Sequence, residues 1–342
     1  MKSLLKFLLV ALMLSLSVSW DAAQGQVRPP VVVKVGHIGT MADGPFYIGL
    51  EKGYFKERGI ELTLERFATG GAMMAPLTRG DLHVAGGAIS VGFYNAIARR
   101  FPLLIIANRN RNLPGFSQDA IWVRADLADR IKGPADLKGR KIAHPGAGSV
   151  TEYMMLKYLE PAGMTKKDVD VVYLPFPDMR VAFANKAIDA AVGPEPFPTQ
   201  YEALGLTKFL TRVSAFIRPM VETSALFVNS EWAKQNRQVL NEFMVAYLKG
   251  VREFYEASIK KPNRAEVIDI LVKHTGIKDR ALFDKMEWLF IDPNGEIEVP
   301  SLTDQQDVYL KNGMITEKAD LRPVIDTSFA KYAVDQLGYY RR

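Results

Sequence analysis

The sequence contains no cysteine. That absence excludes disulfides, thiolate metal sites, iron–sulfur clusters, cysteine nucleophiles and a lipid-modified amino-terminal Cys. Histidine is scarce as well. His37, His83, His144 and His274 are the four present, none at i, i+4 spacing from another and none in a Glu-x-x-His arrangement, so a bound metal is not expected. The chain lacks a Gly-x-Ser-x-Gly elbow, and with it any support for Ser–His–Asp hydrolysis. The Gly146-Ala-Gly-Ser149 stretch lacks the third glycine of a dinucleotide loop, and no Gly-Lys-Ser/Thr follows it. No nucleotide cofactor is therefore expected. No catalytic residue is assigned and no enzyme activity is expected. Charge is not concentrated: 44 Lys and Arg stand against 38 Asp and Glu, a net +6 spread along the chain. No nucleic-acid partner is implied.

What is present is an ordinary globular mixture, 48% hydrophobic and 24% charged over 342 residues. At ~150 residues per domain that length suggests about two domains or lobes. Residues 1–25 read as a cleavable export signal. Lys2 and Lys6 precede an apolar stretch from Leu4 to Val18, and Ala23-Gln24-Gly25 offers small residues at a cleavage site before Gln26. The apolar stretch is short of the ~20 residues that span a bilayer, and no later segment is apolar enough to do so. The expectation is an exported, periplasmic monomer of net charge +5.

Strand and helix signals then alternate. Val31–Val35 is a β-branched run, residues 44–57 carry helical spacing, and Ile60–Phe67 alternates apolar and polar. A short helix over 72–78, a strand over 82–86, a helix over 90–100 and a buried strand over 103–107 follow. This order predicts an α/β fold with a mainly parallel sheet. The pattern recurs: Lys34-Val-Gly-His-Ile-Gly39 resembles Lys141-Ile-Ala-His-Pro-Gly146, and the next two strand segments match at similar spacing. Either an internal duplication or convergent strand–turn–helix grammar produces this, and two similar lobes follow in both cases. Asp119–Arg124 and Thr223–Val228 are extended runs, predicted as crossover hinge strands. The predicted layout is lobe I over 26–118, hinge strands with inserted lobe II over 119–228, and a helical return to lobe I over 229–342. Trp232 to Val251 is predicted as one long helix, with further helices over 264–275 and 279–290.

Ligands of open α/β sheets bind beyond the carboxyl ends of the strands, where helix N-termini offer N–H groups. Glycines and small polar residues stand at those points: Gly39–Pro45 with Thr40, Met41 and Asp43; Thr69, Gly70 and Gly71; Ser90; and, in the second half, His144, Gly146, Gly148, Ser149, Val150 and Thr151. Ser149 with Glu152 fits a capping box. Glu195, between Pro194 and Pro196, is a candidate to bond a ligand donor, a hinge amide or an arginine of the other lobe. Asp43 is a candidate ligand group or a helix cap. The aromatics Phe46, Tyr47, Trp122, Tyr153, Phe176 and Phe197 fall at cleft edges or in the core. Asn108-Arg-Asn-Arg-Asn112 puts two cations near the lobe junction, either as surface groups or as an attraction for an anion.

These residues resemble a known family. Gly39 to Tyr47 with its Gly-Pro-Phe-Tyr ending, Glu51-Lys-Gly-Tyr-Phe-Lys-Glu-Arg-Gly-Ile-Glu61, Asp136-Leu-Lys-Gly-Arg-Lys-Ile142 and Ile188-Asp-Ala-Ala-Val-Gly-Pro-Glu-Pro196 are similar to the nitrate/sulfonate/taurine (NMT1/THI5-like) class of solute-binding proteins. The resemblance covers roughly residues 31–260. It implies a type II periplasmic-binding fold and a partnership with the permease of an ABC importer. It also implies a pocket lined by the Gly39–Tyr47, Thr69–Gly71 and Gly146–Thr151 loops with Ser90. The ligand implied is a small organic anion such as a sulfonate, taurine, nitrate or aromatic acid; a pyrimidine or thiamine-precursor heterocycle, or a sensory role, is the alternative. Many relatives carry Trp where Pro194 stands, so a stacking role does not transfer. The Cys-rich pyrimidine synthases of the family are excluded by the missing cysteine.

Overall fold

The computed structural model describes residues 29–275 and 277–341. The expected export signal lies outside them. Ten strands form two five-stranded sheets. The first contains β1 (Val31–His37), β2 (Ile60–Arg66), β3 (Val84–Ala88), β4 (Leu103–Asn112) and β10 (Val221–Asn229), in the order β2-β1-β3-β10-β4. The second contains β5 (Asp119–Arg124), β6 (Lys141–His144), β7 (Asp170–Tyr173), β8 (Ala190–Pro194) and β9 (Thr207–Arg212), in the order β7-β6-β8-β5-β9. β1 runs parallel to β2 and β3, and β6 runs parallel to β7 and β8. β10 is antiparallel to β3 and β4, as β5 is to β8 and β9. The two sheets thus share one plan, with an antiparallel strand inserted at the fourth position of each.

That plan refines the role of the two extended runs. β5 lies wholly in the second sheet and β10 wholly in the first. The chain passes between sheets just before each of them, through residues 113–118 and 213–220.

Helices cover the sheets. They include α1 (Gly44–Glu51), α2 (Val91–Ala98), α3 (Val150–Leu159), α4 (Arg237–Ser258), α5 (Arg264–Thr275), α6 (Val299–Lys311) and α7 (Ser328–Leu337). Val33, Val35, Val84, Leu226 and Val228 of the first sheet form one core with Phe46 of α1 and Phe243, Tyr247 and Phe254 of α4. Burying each such side chain is worth ~1.5–3 kcal/mol, which is what docks the carboxyl-terminal helices on the first sheet. α6 touches both halves. Tyr94 donates to the Leu302 carbonyl at 2.8 Å and Gln305 to the Glu222 carbonyl at 2.7 Å; Tyr309 donates to the Ser149 carbonyl at 3.0 Å.

Three helical segments differ from the sequence reading, and the strand predicted over 103–107 runs on to Asn112. The predicted helix over 44–57 is two, α1 and a turn over Tyr54–Glu57. Trp232 sits on a separate short helix, Ser230–Gln235, whose Asn229 side chain caps it by accepting from Trp232 N at 2.9 Å. Residues 279–290 hold only one helical turn, Leu282–Lys285. The chain beyond it lies against the outer edge of β4, where the Phe290 carbonyl accepts from Arg111 N at 2.9 Å and the Gly295 carbonyl from Asn108 N at 3.1 Å. Satisfying the unpaired edge of a buried strand outweighs local helical spacing there.

Candidate functional site

A cavity of about 230 Å³ lies between the sheets. It is smaller than the ~300–1,000 Å³ typical of sites for drug-sized ligands. Loops that leave the carboxyl ends of the parallel strands form most of its wall. Thr40 and Ala42 follow β1, Ala68 to Gly71 follow β2, and Ser90 and Gly92 follow β3. From the second half come Pro145 to Ala147, Ser149, Val150, Thr151, Phe176 and Pro194. Arg109 and Asn110 of β4, Gln118 and Asp119 at the first crossing, and Thr223 and Ser224 of β10 complete it.

Of the residues singled out in the sequence, Thr40, Thr69, Gly70, Gly71, Ser90, Gly146, Ser149, Val150 and Thr151 lie on this wall. Gly70 is there because its backbone runs against β3; a Cβ at that position would stand 2.6 Å from Ala88 N. Arg109, Asn110, Phe176 and Pro194 lie on the wall too, and the remaining candidates lie off it. Met41 and Phe46 are fully buried in the core under the first sheet. Tyr47 is held between rings, its hydroxyl 3.2 Å from His37 Nδ1 and its face stacked on His274. Gly148 packs on Val91, a contact that a side chain would block, and its carbonyl accepts from Val91 N at 2.9 Å. His144 is buried beneath Ser149, whose Oγ is 3.3 Å from its Nδ1. Burial pushes the His144 imidazole down to about 4, so it is neutral at ordinary pH. Glu195 accepts from Thr199 Oγ1 at 2.8 Å and Arg212 at 2.9 Å. Its arginine comes from β9 in its own sheet, and not from the other half. Among the aromatics considered, Phe176 alone reaches the wall, and it stacks on Phe197.

The helix starts are less available to an anion than their sequence suggests. Ser90 Oγ accepts from Phe93 N, and Ser149 Oγ from Glu152 N, both at 3.3 Å. Gly148 N donates to the Glu152 carboxylate at 2.5 Å. The two starts also meet each other through a backbone bridge between Ser90 and Ser149. Backbone donors that a ligand could have used are therefore spent on caps and on the junction. The hydroxyl-bearing residues Thr40, Thr69, Ser90, Ser149, Thr151, Thr223 and Ser224 remain on the wall.

Charge enters from β4. Arg109 is 2% exposed and forms an ion pair with Asp43, while its Nη1 donates to Ser224 Oγ at 3.2 Å. Asp43 also accepts from Gly39 N at 2.7 Å and Thr40 N at 2.8 Å. Burial alone would raise the Asp43 carboxyl, but Arg109 and His37 outweigh it and hold the group at about 2. Asp43 is thus the counter-ion of a cavity arginine. Arg111 faces away, paired with Glu222 at 3.1 Å and bonded to the Glu296 carbonyl at 2.9 Å. Neither cation of the Asn-Arg repeat is a surface group. Burial pushes the Asp119 carboxyl up to about 6. It also pushes Glu222 up to about 7 despite Arg111. As cavity residues Gln118, Asp119, Thr223 and Ser224 escaped the sequence reading, which took Asp119 and Thr223 only as the starts of two extended runs. Their signal is a short polar stretch, Ser117 to Asp119 and Glu222 to Ser224, beside an apolar run where the chain changes sheet. Among the described residues, no group of three or more His, Asp or Glu is placed to hold a metal ion.

The family model described as NMT1/THI5 like matches residues 42–265. A protein of Brucella abortus (strain 2308) assigned as a binding protein is 26% identical over 329 residues, covering 91% of this chain and 90% of that one. Among solved structures, the alkanesulfonate-binding protein SsuA of Xanthomonas axonopodis pv. citri, bound to MOPS, superposes with a TM-score of 0.71 at 18% identity, covering 87% of this chain and 98% of that one. The periplasmic nitrate-binding protein NrtA of Synechocystis PCC 6803 superposes with a TM-score of 0.71 at 17% identity, covering 90% and 89%. At such identities these two structures share the fold: paired five-stranded sheets of the periplasmic binding type. The match over residues 42–265 spans well over half of the chain, and the protein belongs to the NMT1/THI5-like family of substrate-binding proteins.

Proposed function

We propose that this chain captures one small organic solute in the cavity between its sheets and hands it to the membrane permease of an ABC importer, working in the periplasm without chemistry of its own. The observation that carries the reading is the cavity itself, walled by matching post-strand loops of both sheets. A solute seated there touches both halves at once, so binding favours their approach over separation. The two crossings, residues 113–118 and 213–220, are the hinges about which the halves would move. The acceptor end of the solute, such as a sulfonate or carboxylate, is held by the Arg109 guanidinium and by the hydroxyls of Ser90, Ser149 and Thr151. A ring or alkyl body rests on Phe176 and Val150.

The test is thermal unfolding of protein stripped of carried-over solute, against a panel of sulfonates, aromatic carboxylates, nitrate and pyrimidines. A bound solute at 100 times its dissociation constant adds ~2.7 kcal/mol of stability, a rise of several degrees. If no panel member raises the transition, the capture reading fails.

A further inference from the structure

We propose that the solute carries an N–H donor group, as an amine or an amino-heterocycle, seated on a wall of acceptors made by Asn110, Gln118 and Asp119. This rests on the solute-capture reading above and narrows it. All three residues line the cavity and are at most 4% exposed. They stand side by side where the chain leaves β4 and enters β5.

Their hydrogen bonds fix which atoms remain. Asn110 Nδ2 donates to Thr223 Oγ1 at 2.5 Å, and that hydroxyl donates to the Asn110 carbonyl at 3.2 Å. A hydroxyl has one proton, so it must accept from the amide nitrogen. The Asn110 side chain is thereby oriented, and its Oδ1 has no partner. The Gln118 amide helps to hold the Asp119 carboxylate charged, and Gln118 Oε1 has no partner. Asp119 Oδ2 accepts from Asn112 Nδ2 at 2.6 Å, and Asn112 Oδ1 accepts from Asp119 N at 3.2 Å. The nearby Arg212 is already committed to Glu195 at 2.9 Å and Glu287 at 3.4 Å.

Two buried acceptors without donors and a carboxylate without a cation of its own form one face. Such groups are costly to bury unless something donates to them. The opposite sign is already balanced in charge, because Arg109 is paired with Asp43, and its Nε alone has no partner. The cavity is therefore not a cationic hole suited to a bare anion. It presents an acceptor wall to one end of a solute and hydroxyls with Arg109 to the other. Nitrate and unsubstituted alkanesulfonates have no N–H to offer this wall. Amino-sulfonates, amino acids and aminopyrimidines do.

The experiment is calorimetric titration of solute-free protein with matched pairs that differ by one amino group: ethanesulfonate against 2-aminoethanesulfonate, and pyrimidine against 4-aminopyrimidine. In at least one pair the amino member binds ten-fold or more tightly than its partner. In Asp119→Asn that preference falls to three-fold or less. Gln118→Met, which removes the free acceptor together with the amide beside Asp119 and leaves every charge in place, weakens the amino member and leaves its partner unchanged. Equal or tighter binding of the amine-free partners overturns this inference and leaves solute capture standing. Silence of every compound here, together with silence across the wider thermal panel, overturns both.

Discussion

The two halves solve one local problem with different charges. β1 ends in His37 and β6 in His144, and each is followed by a glycine-containing loop that opens a helix. At each loop a nearby carboxylate gathers backbone N–H groups: Asp43 takes those of Gly39 and Thr40, and Glu152, in the first turn of α3, takes that of Gly148. The counter-ions differ. Asp43 is paired with Arg109, whose side chain is 2% exposed on the cavity wall. Glu152 is paired with Lys166, whose side chain is 37% exposed at the surface. The first half therefore carries a charge into the cavity, and the second discharges its own into solvent. A repeated loop conserves backbone bookkeeping without conserving electrostatics.

The sharpest way to break this comparison is to remove each carboxylate. Asp43→Asn leaves Arg109 charged and buried without its partner, a loss of ~3–5 kcal/mol in urea unfolding. Glu152→Gln keeps an acceptor for Gly148 N and leaves Lys166 to water, so its loss is ~1 kcal/mol or less. Similar losses for the two variants would show that both ion pairs have the same weight.

A pH series sharpens it further. Burial raises Asp119 to about 6 and Glu222 to about 7, against the opposing effects of Arg212 and Arg111. A carboxyl whose folded value is raised contributes stability in acid that is lost as pH rises through that value. For Asp119, a shift of about two pH units corresponds to ~3 kcal/mol between pH 4 and 7. Asp43 has the opposite sign, since its stability is present above about 4 and is lost as pH falls toward 2. The melting temperature of the solute-free protein should fall from pH 4.5 to 7.5, and Asp119→Asn should flatten that fall. An unchanged slope in the variant would remove Asp119 from the account.

The smallest effect separates the two helix caps. Ser90→Ala and Ser149→Ala each lose an N-cap, worth ~1 kcal/mol. Ser149 should cost more in chemical denaturation, because its hydroxyl also meets Thr151 Oγ1 at 2.8 Å and His144 at 3.3 Å. Equal losses would mean that those extra contacts add nothing.

Much of the strand–helix order was legible because it rests on local periodicity and on glycine-containing loops. β2, β5 and α5 lie within a residue of their expected bounds, and β1 runs two residues beyond Val35. Misreadings concentrate where distant segments meet. Asn108 to Asn112 reads as two cations just after a strand, yet it is the buried end of β4 because Glu222, Thr223, Asp119 and the backbone of residues 290–296 supply its partners. The cavity loops were legible as turns and caps. Which of their groups stay free was not, since that depends on how the helix starts meet each other.

The sequence by itself determined an α/β chain with two recurring halves, loops of small residues after the strands, and chemistry that excludes thiols. These follow from side-chain size, periodicity and composition, which are properties of neighbours in the chain. Only the tertiary structure decided that Arg109 faces the cavity with Asp43 behind it, that Glu195 serves its own sheet, and that Asn110, Gln118 and Asp119 form one acceptor face. Hydrogen-bond and ion partners in a buried site are chosen by packing, at separations from 7 residues for Asn112 and Asp119 through 66 for Asp43 and Arg109 to 113 for Asn110 and Thr223, and no local pattern encodes that choice.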